Sequence, residues 1–161
     1  MPHAHQRAYR LLSERVRLGT TARRALYVTL AALTGSGIAW LCVHFGAGAS
    51  APDSDSLRRL AQESLALKIH GATAFAALFA LGAMSVHHVR LAWAVKRNRM
   101  IGSALVALFS LLTVSGYALY YLVNDDTHAI ISWLHWGLGL ALVPLLIVHI
   151  AVGRRSRPAL A

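Results

Sequence analysis

Four long apolar blocks alternate with short polar connections along the chain: Tyr27–Phe45, Leu65–Trp93, Ile101–Val123 and Ile130–Val152. Each approaches or exceeds the ~20 residues that cross a hydrocarbon core as an α-helix. None carries the single apolar stripe of a helix with one face in water. The pattern predicts spans over about 25–45, 66–93, 100–123 and 129–152, flanked by basic tails at 1–24 and 154–161. The expected fold is all-α, an integral membrane four-helix bundle forming one domain. Composition agrees: 57% of the residues are hydrophobic and 14% charged, against about a quarter charged in soluble domains.

The connections differ in kind. The first, "GAGASAPDSDSLRRLAQESLALK", begins with turn-forming residues. It continues with helical spacing of Leu57, Leu60 and Leu67. A short amphipathic helix over 55–67, capped by Asp55 or Ser56 and lying on the membrane surface, is expected there. The second connection, "VKRNRMIG", is short and basic, and the third, "VNDDTH", reads as a tight polar turn with a solvated His128. Short connections make neighbouring spans antiparallel, so spans two and four run the same way. The stretch before the first span does not read as a secretory signal, because a full-length apolar block and further spans follow it. Residues 5–18 form either a basic surface helix or a solvated tail. No internal sequence repeat stands out.

Charge adds a direction. The net charge is +10, from 16 basic and 6 acidic residues. Thirteen of the basic residues fall before span one, from Arg90 at the inner end of span two up to span three, or after span four. Arg58, Arg59 and Lys68 remain on the other side, with Asp53, Asp55, Glu63, Asp125 and Asp126. This is the positive-inside pattern, and it places both termini in the cytoplasm. Topology accounts for the basic balance, so nucleic acid is not expected as a partner. The single cysteine, Cys42, lies in span one and reads as a packing residue. No Cys-x-x-Cys-His occurs, so covalent c-type haem is not expected.

Histidines are the unusual residues of these spans. His135 and His149 lie fourteen positions apart in span four. That spacing leaves them roughly 40° apart around a helix and roughly 21 Å apart along it. In span two, His70 and His88 are eighteen positions apart, five turns of a regular helix and roughly 27 Å. Parallel spans two and four thus each offer one histidine near the outer surface and one near the inner. His70 is the expected counterpart of His135, and His88 of His149, with His87 as the substitute for His88. Helix tilt, or a ligand just beyond the core, absorbs the difference in rise.

Neutral imidazole is an axial ligand of haem iron. Two such pairs predict two non-covalent b haems with bis-histidine ligation. The metal ligands are then His70, His88, His135 and His149. Small residues give a flat macrocycle room: Gly71 and Gly82 in span two, Gly137 and Gly139 in span four, Gly35 and Gly37 in span one, and Gly116 in span three. Their alternative role is helix packing. Lys68 and Arg90, each two residues from a histidine, either meet haem propionates or snorkel to lipid headgroups. Zinc would need three or four clustered ligands. The spans lack Asp and Glu, which argues against a proton pump or cation transporter. His44 is either an interfacial residue or a contact for the outer haem or a quinone.

"LHWGLGLALVPLLIVHI", "KIHGATAF" and "HHVRLAWAVKRNR" resemble segments of the small bacterial dihaem b-type membrane cytochromes. That family includes the cytochrome b subunits of formate dehydrogenases and nickel–iron hydrogenases. The likeness covers roughly residues 65–155. It implies that His70 and His135 form the outer ligand pair and favours His88 over His87 as partner of His149. Some members take the inner ligand from the start of the first span, but residues 20–30 contain no histidine here.

The function this implies is transmembrane electron transfer in the bacterial inner membrane. Electrons would pass between the quinone pool and a periplasmic or membrane redox partner, a c-type cytochrome or a dehydrogenase subunit. The chain would then be an electron-transfer subunit of an oxidoreductase rather than an enzyme with its own catalytic residues. Tyr117, Tyr120, Tyr121 and His44 are candidate quinone contacts. Two rival readings are a stand-alone quinol-oxidising reductase, for example of superoxide, and a haem-free membrane scaffold or transporter.

Overall fold

A computed structural model describes residues 19–46, 53–94 and 98–155, apart from the side chains of 53–55 and 87. The expectations for residues 5–18, for the turn at 47–52 and for Lys96 and Arg97 lie outside the described residues. The elements are α1 (Thr20–Gly46), α2 (Asp53–Met84), a π-turn (Ser85–Val89), α3 (Arg90–Ala94), α4 (Arg99–Tyr121) and α5 (Asp125–Arg155). No strand occurs among the described residues. Helices α1, α2, α4 and α5 are long and apolar enough to cross a membrane, the architecture of a multi-pass membrane protein.

Three boundaries differ from the sequence reading. The surface helix over 55–67 is not a separate element, because α2 runs unbroken for 32 residues from Asp53. From Asp53 to His70 there is no Gly or Pro, and Leu, Ala, Arg, Gln and Glu are good helix formers, so nothing halts propagation. Helix α1 likewise begins at Thr20, which takes Arg23 and Arg24 out of the tail and into its first turns.

At the other hairpin, α5 begins at Asp125, so the third connection shrinks and His128 sits exposed in the first turn instead of in a loop. Asn124 caps this end. Its Oδ1 accepts the Thr127 hydroxyl at 2.7 Å and the Thr127 N–H at 3.2 Å. Asp125 and Asp126 in the first turn suit the positive end of the helix dipole.

The turn before α4 rests on Asn98, whose φ of 49° is left-handed, a conformation that Asn tolerates better than most residues. Its carbonyl accepts the Gly102 N–H at 3.1 Å. Pro144 lies inside α5. It removes one backbone donor, a defect that membrane helices accommodate.

The chain divides between Val86 and His87 into two compact units. In the first, α1 packs on α2, burying Leu26, Leu30, Ser36 and Ala77. In the second, α4 packs on α5 around Leu105, Leu108 and Leu142, with Phe109, Leu112 and Leu138 against them. Each hairpin is narrow and keeps large apolar side chains outside: Phe75 is 78% exposed and Phe79 81%. In water each such side chain would forgo about 1.5–3 kcal/mol of burial. Against lipid tails that penalty vanishes, because the surround is as apolar as the side chain.

The π-turn is a further correction. A regular helix would return His88 to the face of His70 after five turns. A π-turn closes i→i+5 hydrogen bonds and holds more residues than an α-turn. His88 lies within it, so the unbroken α-register behind that shared face does not run through.

Candidate metal-ligand histidines

In the first hairpin, α1 presents Ser36 and Gly37 to α2. Serine in a helix commonly turns its hydroxyl back on the preceding turn. Ser36 does so, donating to the Leu33 carbonyl at 2.9 Å. His70 of α2 faces this spot. Its Nδ1 lies 3.1 Å from Ser36 Oγ and 3.1 Å from the Leu33 carbonyl oxygen.

A carbonyl oxygen only accepts, so Nδ1 carries the proton and the basic lone pair resides on Nε2. Thr73 closes the arrangement, donating to the His70 carbonyl at 2.9 Å, with its hydroxyl 3.3 Å from Ser36 Oγ. The ring needs the missing side chain of Gly37. A Cβ there would stand 3.1 Å from His70 Cε1, tighter than ordinary carbon contact.

The second hairpin repeats this construction. Ser115 of α4, buried, donates to the Leu112 carbonyl at 3.2 Å. Its Oγ lies 2.8 Å from Nδ1 of His135, within hydrogen-bond distance. A Cβ on Gly116 would stand 3.2 Å from His135 Cε1.

The two helices share a sequence frame, Leu33-Thr34-x-Ser36-Gly37-x-Ala39 and Leu112-Thr113-x-Ser115-Gly116-x-Ala118. Seven positions upstream of its start, each frame has a buried leucine, Leu26 or Leu105. This repeat was missed from the sequence. The serine and its histidine are 34 positions apart in one hairpin and 20 in the other, so whole-chain comparison does not align them. The frame L-T-x-S-G-x-A, occurring twice, is the signal that would have found it.

His149, near the far end of α5, is held differently. Asn98 Nδ2 donates to the His149 carbonyl at 3.1 Å and lies 3.2 Å from Nδ1 of the same residue. An amide N–H directed at Nδ1 makes that nitrogen the acceptor and leaves the proton on Nε2, the opposite tautomer. Gly102 backs the ring, with a notional Cβ 3.7 Å from Cε1, an ordinary contact. His88 is half-buried in the π-turn. The side chain of His87 lies outside the described residues.

The other named residues are placed as follows. Gly71 has no atom within 4 Å of a notional Cβ, and Gly139 meets only Leu112 at 3.9 Å. The glycines that seat imidazoles are Gly37, Gly116 and Gly102. Lys68 and Arg90 are exposed. His44 stacks on Trp40 at 4.6 Å, and its Nδ1 is 3.5 Å from Glu63 Oε1. Tyr117 and Tyr121 pack at 4.9 Å, and Trp133 and Trp136 at 4.8 Å.

No group of three or more His, Cys, Asp or Glu able to hold a metal occurs among the described residues; axial ligation of haem by two imidazoles requires no such group. For that use the donor chemistry of His70 and His135 fits directly. A ligating histidine would give Nε2 to iron and its Nδ1–H to an acceptor; the Leu33 carbonyl imposes that form on His70, and Ser115 Oγ stands where it would accept from His135. His149 fits once Asn98 turns its amide away and the ring proton moves to Nδ1. No family model, curated protein or solved structure matches this chain.

Proposed function

We propose that this chain is a dihaem b-type cytochrome that carries electrons across a bacterial inner membrane, between the quinone pool and a redox partner outside it. The observation that carries the reading is the pair of histidines, one per hairpin, each meeting a buried serine through Nδ1 beside a glycine notch in an apolar helix. A packing histidine needs no particular tautomer, whereas a ligand does.

His70 and His135 are the proposed outer ligands. His149 is an inner ligand, with His88, or His87 in its stead. Gly71 and Gly139 leave room along α2 and α5, and Lys68 and Arg90 meet the propionates. Haem iron, when bound, supplies reversible one-electron transfer. The chain's own residues orient the imidazoles and exclude water with apolar helices; two histidines per haem would leave no coordination position open to oxygen. Tyr117, Tyr120, Tyr121 and His44 are the proposed quinone contacts. A c-type cytochrome or a dehydrogenase subunit is the proposed partner.

A reduced-minus-oxidised visible spectrum with haem quantified per chain tests the reading. Two b haems per chain are expected. Protein purified intact without a Soret band would overturn it in favour of a scaffold or transporter.

Orientation has its own test. In a Cys42→Ser background, Asp53→Cys is expected to react with a membrane-impermeant thiol reagent on intact spheroplasts, and Arg155→Cys only after lysis. The reverse pattern would put the termini outside.

A further inference from the structure

We infer that Ser36 and Ser115 are matched positioning residues that hold His70 and His135 in the iron-ligating tautomer and set the reduction potential of the outer haem. The inference rests on the dihaem reading. Its physical basis is a relay seen twice: leucine carbonyl, serine hydroxyl, histidine Nδ1. Each serine spends its hydrogen on the carbonyl three residues back, at 2.9 Å for Ser36 and 3.2 Å for Ser115. Its oxygen is thereby an acceptor for the imidazole N–H. Each serine is buried, with exposures of 9% and 7%, so bulk water does not compete. Each is followed by the glycine that seats the ring. Two unrelated packing contacts would not be expected to reproduce the residue type, the ring nitrogen met and the glycine notch in both hairpins.

Donation from Nδ1–H gives the ring partial imidazolate character, and the stronger donor stabilises the more highly charged ferric state. Removing the acceptor weakens ferric binding more than ferrous, so the potential rises. Loss of such a partner typically costs ten- to hundred-fold in affinity. A tenfold loss confined to the ferric form reads as a rise of about 59 mV for a one-electron couple. The shorter bond, 2.8 Å at Ser115, carries the larger effect. At His70 the Leu33 carbonyl remains at 3.1 Å when Ser36 is lost.

The test uses the full chain in detergent or nanodiscs. Ser115→Ala is expected to raise the midpoint potential of one haem by at least the shift just given and to leave the other unchanged. Ser36→Ala should raise the same haem by less, and Ser115→Thr, which keeps a hydroxyl, should restore the parent value. Unmoved potentials in both alanine variants, with two haems retained, would overturn the inference while leaving the dihaem reading intact.

A second measurement needs no haem. In haem-free protein with 15N-labelled histidine, the ring nitrogen shifts report the tautomer directly. His70 and His135 are expected to be protonated on Nδ1, and Ser115→Ala should shift His135 toward the Nε2-protonated form. Nε2 protonation of both in the parent chain would overturn the inference by itself. The Nδ1 form in a chain that never binds haem would sink the dihaem reading but leave the serine–histidine relay standing.

Discussion

Under the proposed dihaem reading, alanine at His135 or at His149 is expected to lower the haem content from two per chain to one, and alanine at both to leave none. The reason is coordinative. A bis-histidine b haem would have two protein bonds to iron, and removing either imidazole would break one of them. The two variants should differ in which haem they lose, which makes them separable by potential and by the position of the α-band. His135 is oriented by its 2.8 Å contact with Ser115, and as the proposed outer ligand its loss should empty the outer position. His149 is gripped by Asn98 through backbone carbonyl and ring, so its loss should also loosen the turn before α4. A modest fall in thermal stability is expected in His149→Ala beyond that in His135→Ala. Pyridine haemochrome quantification per chain decides the matter. Full haem content in both variants would dismiss these ligands.

The second large effect is steric. Leucine at Gly116 is expected to cost one haem per chain, as the His135 variant does, with His135 itself untouched. The first carbon of any side chain there already falls 3.2 Å from His135 Cε1, and a branched chain must push the imidazole off Ser115. Alanine at the same position asks the ring to yield only a few tenths of an ångström, so haem is retained with a shifted Soret maximum. Gly37→Leu should act alike on His70, where the same distance is 3.1 Å. Gly35→Ala supplies the control. Nothing lies within 4 Å of that site, and haem content should not change. Helical circular dichroism and elution position must stay constant across the set, so that haem loss reads as local displacement. Two haems in well-folded Gly116→Leu protein would contradict the seating of His135.

Much of the architecture was legible in the sequence because membrane helices advertise themselves by length and apolar composition. The four blocks emerged as helices with ends within a few residues of expectation, except at α2. There the polar stretch after Asp53 looked like a surface element, since periodicity shows an amphipathic face but not whether a helix continues into the next segment. His135 and His70 stood out for a good reason: a titratable ring in an apolar span demands an explanation. What one sequence could not show was how the rings are held. Ser36, Ser115 and Asn98 are common residues whose meaning comes from a neighbour 34, 20 or 51 positions away. Gly37 and Gly116 were noted as small residues, but only geometry separates them from Gly71 and Gly139. The π-turn at Ser85–Val89 is likewise invisible to a fixed helical period.

The continuity of α2 has a mechanical consequence. Its 32 residues make a rod of about 48 Å, against about 30 Å of hydrocarbon, so its first turns stand clear of the lipid. His70 rides on the same stiff rod, seventeen positions from its leading end. A protein that grips the overhang therefore takes hold of the lever that carries the imidazole, without any hinge between.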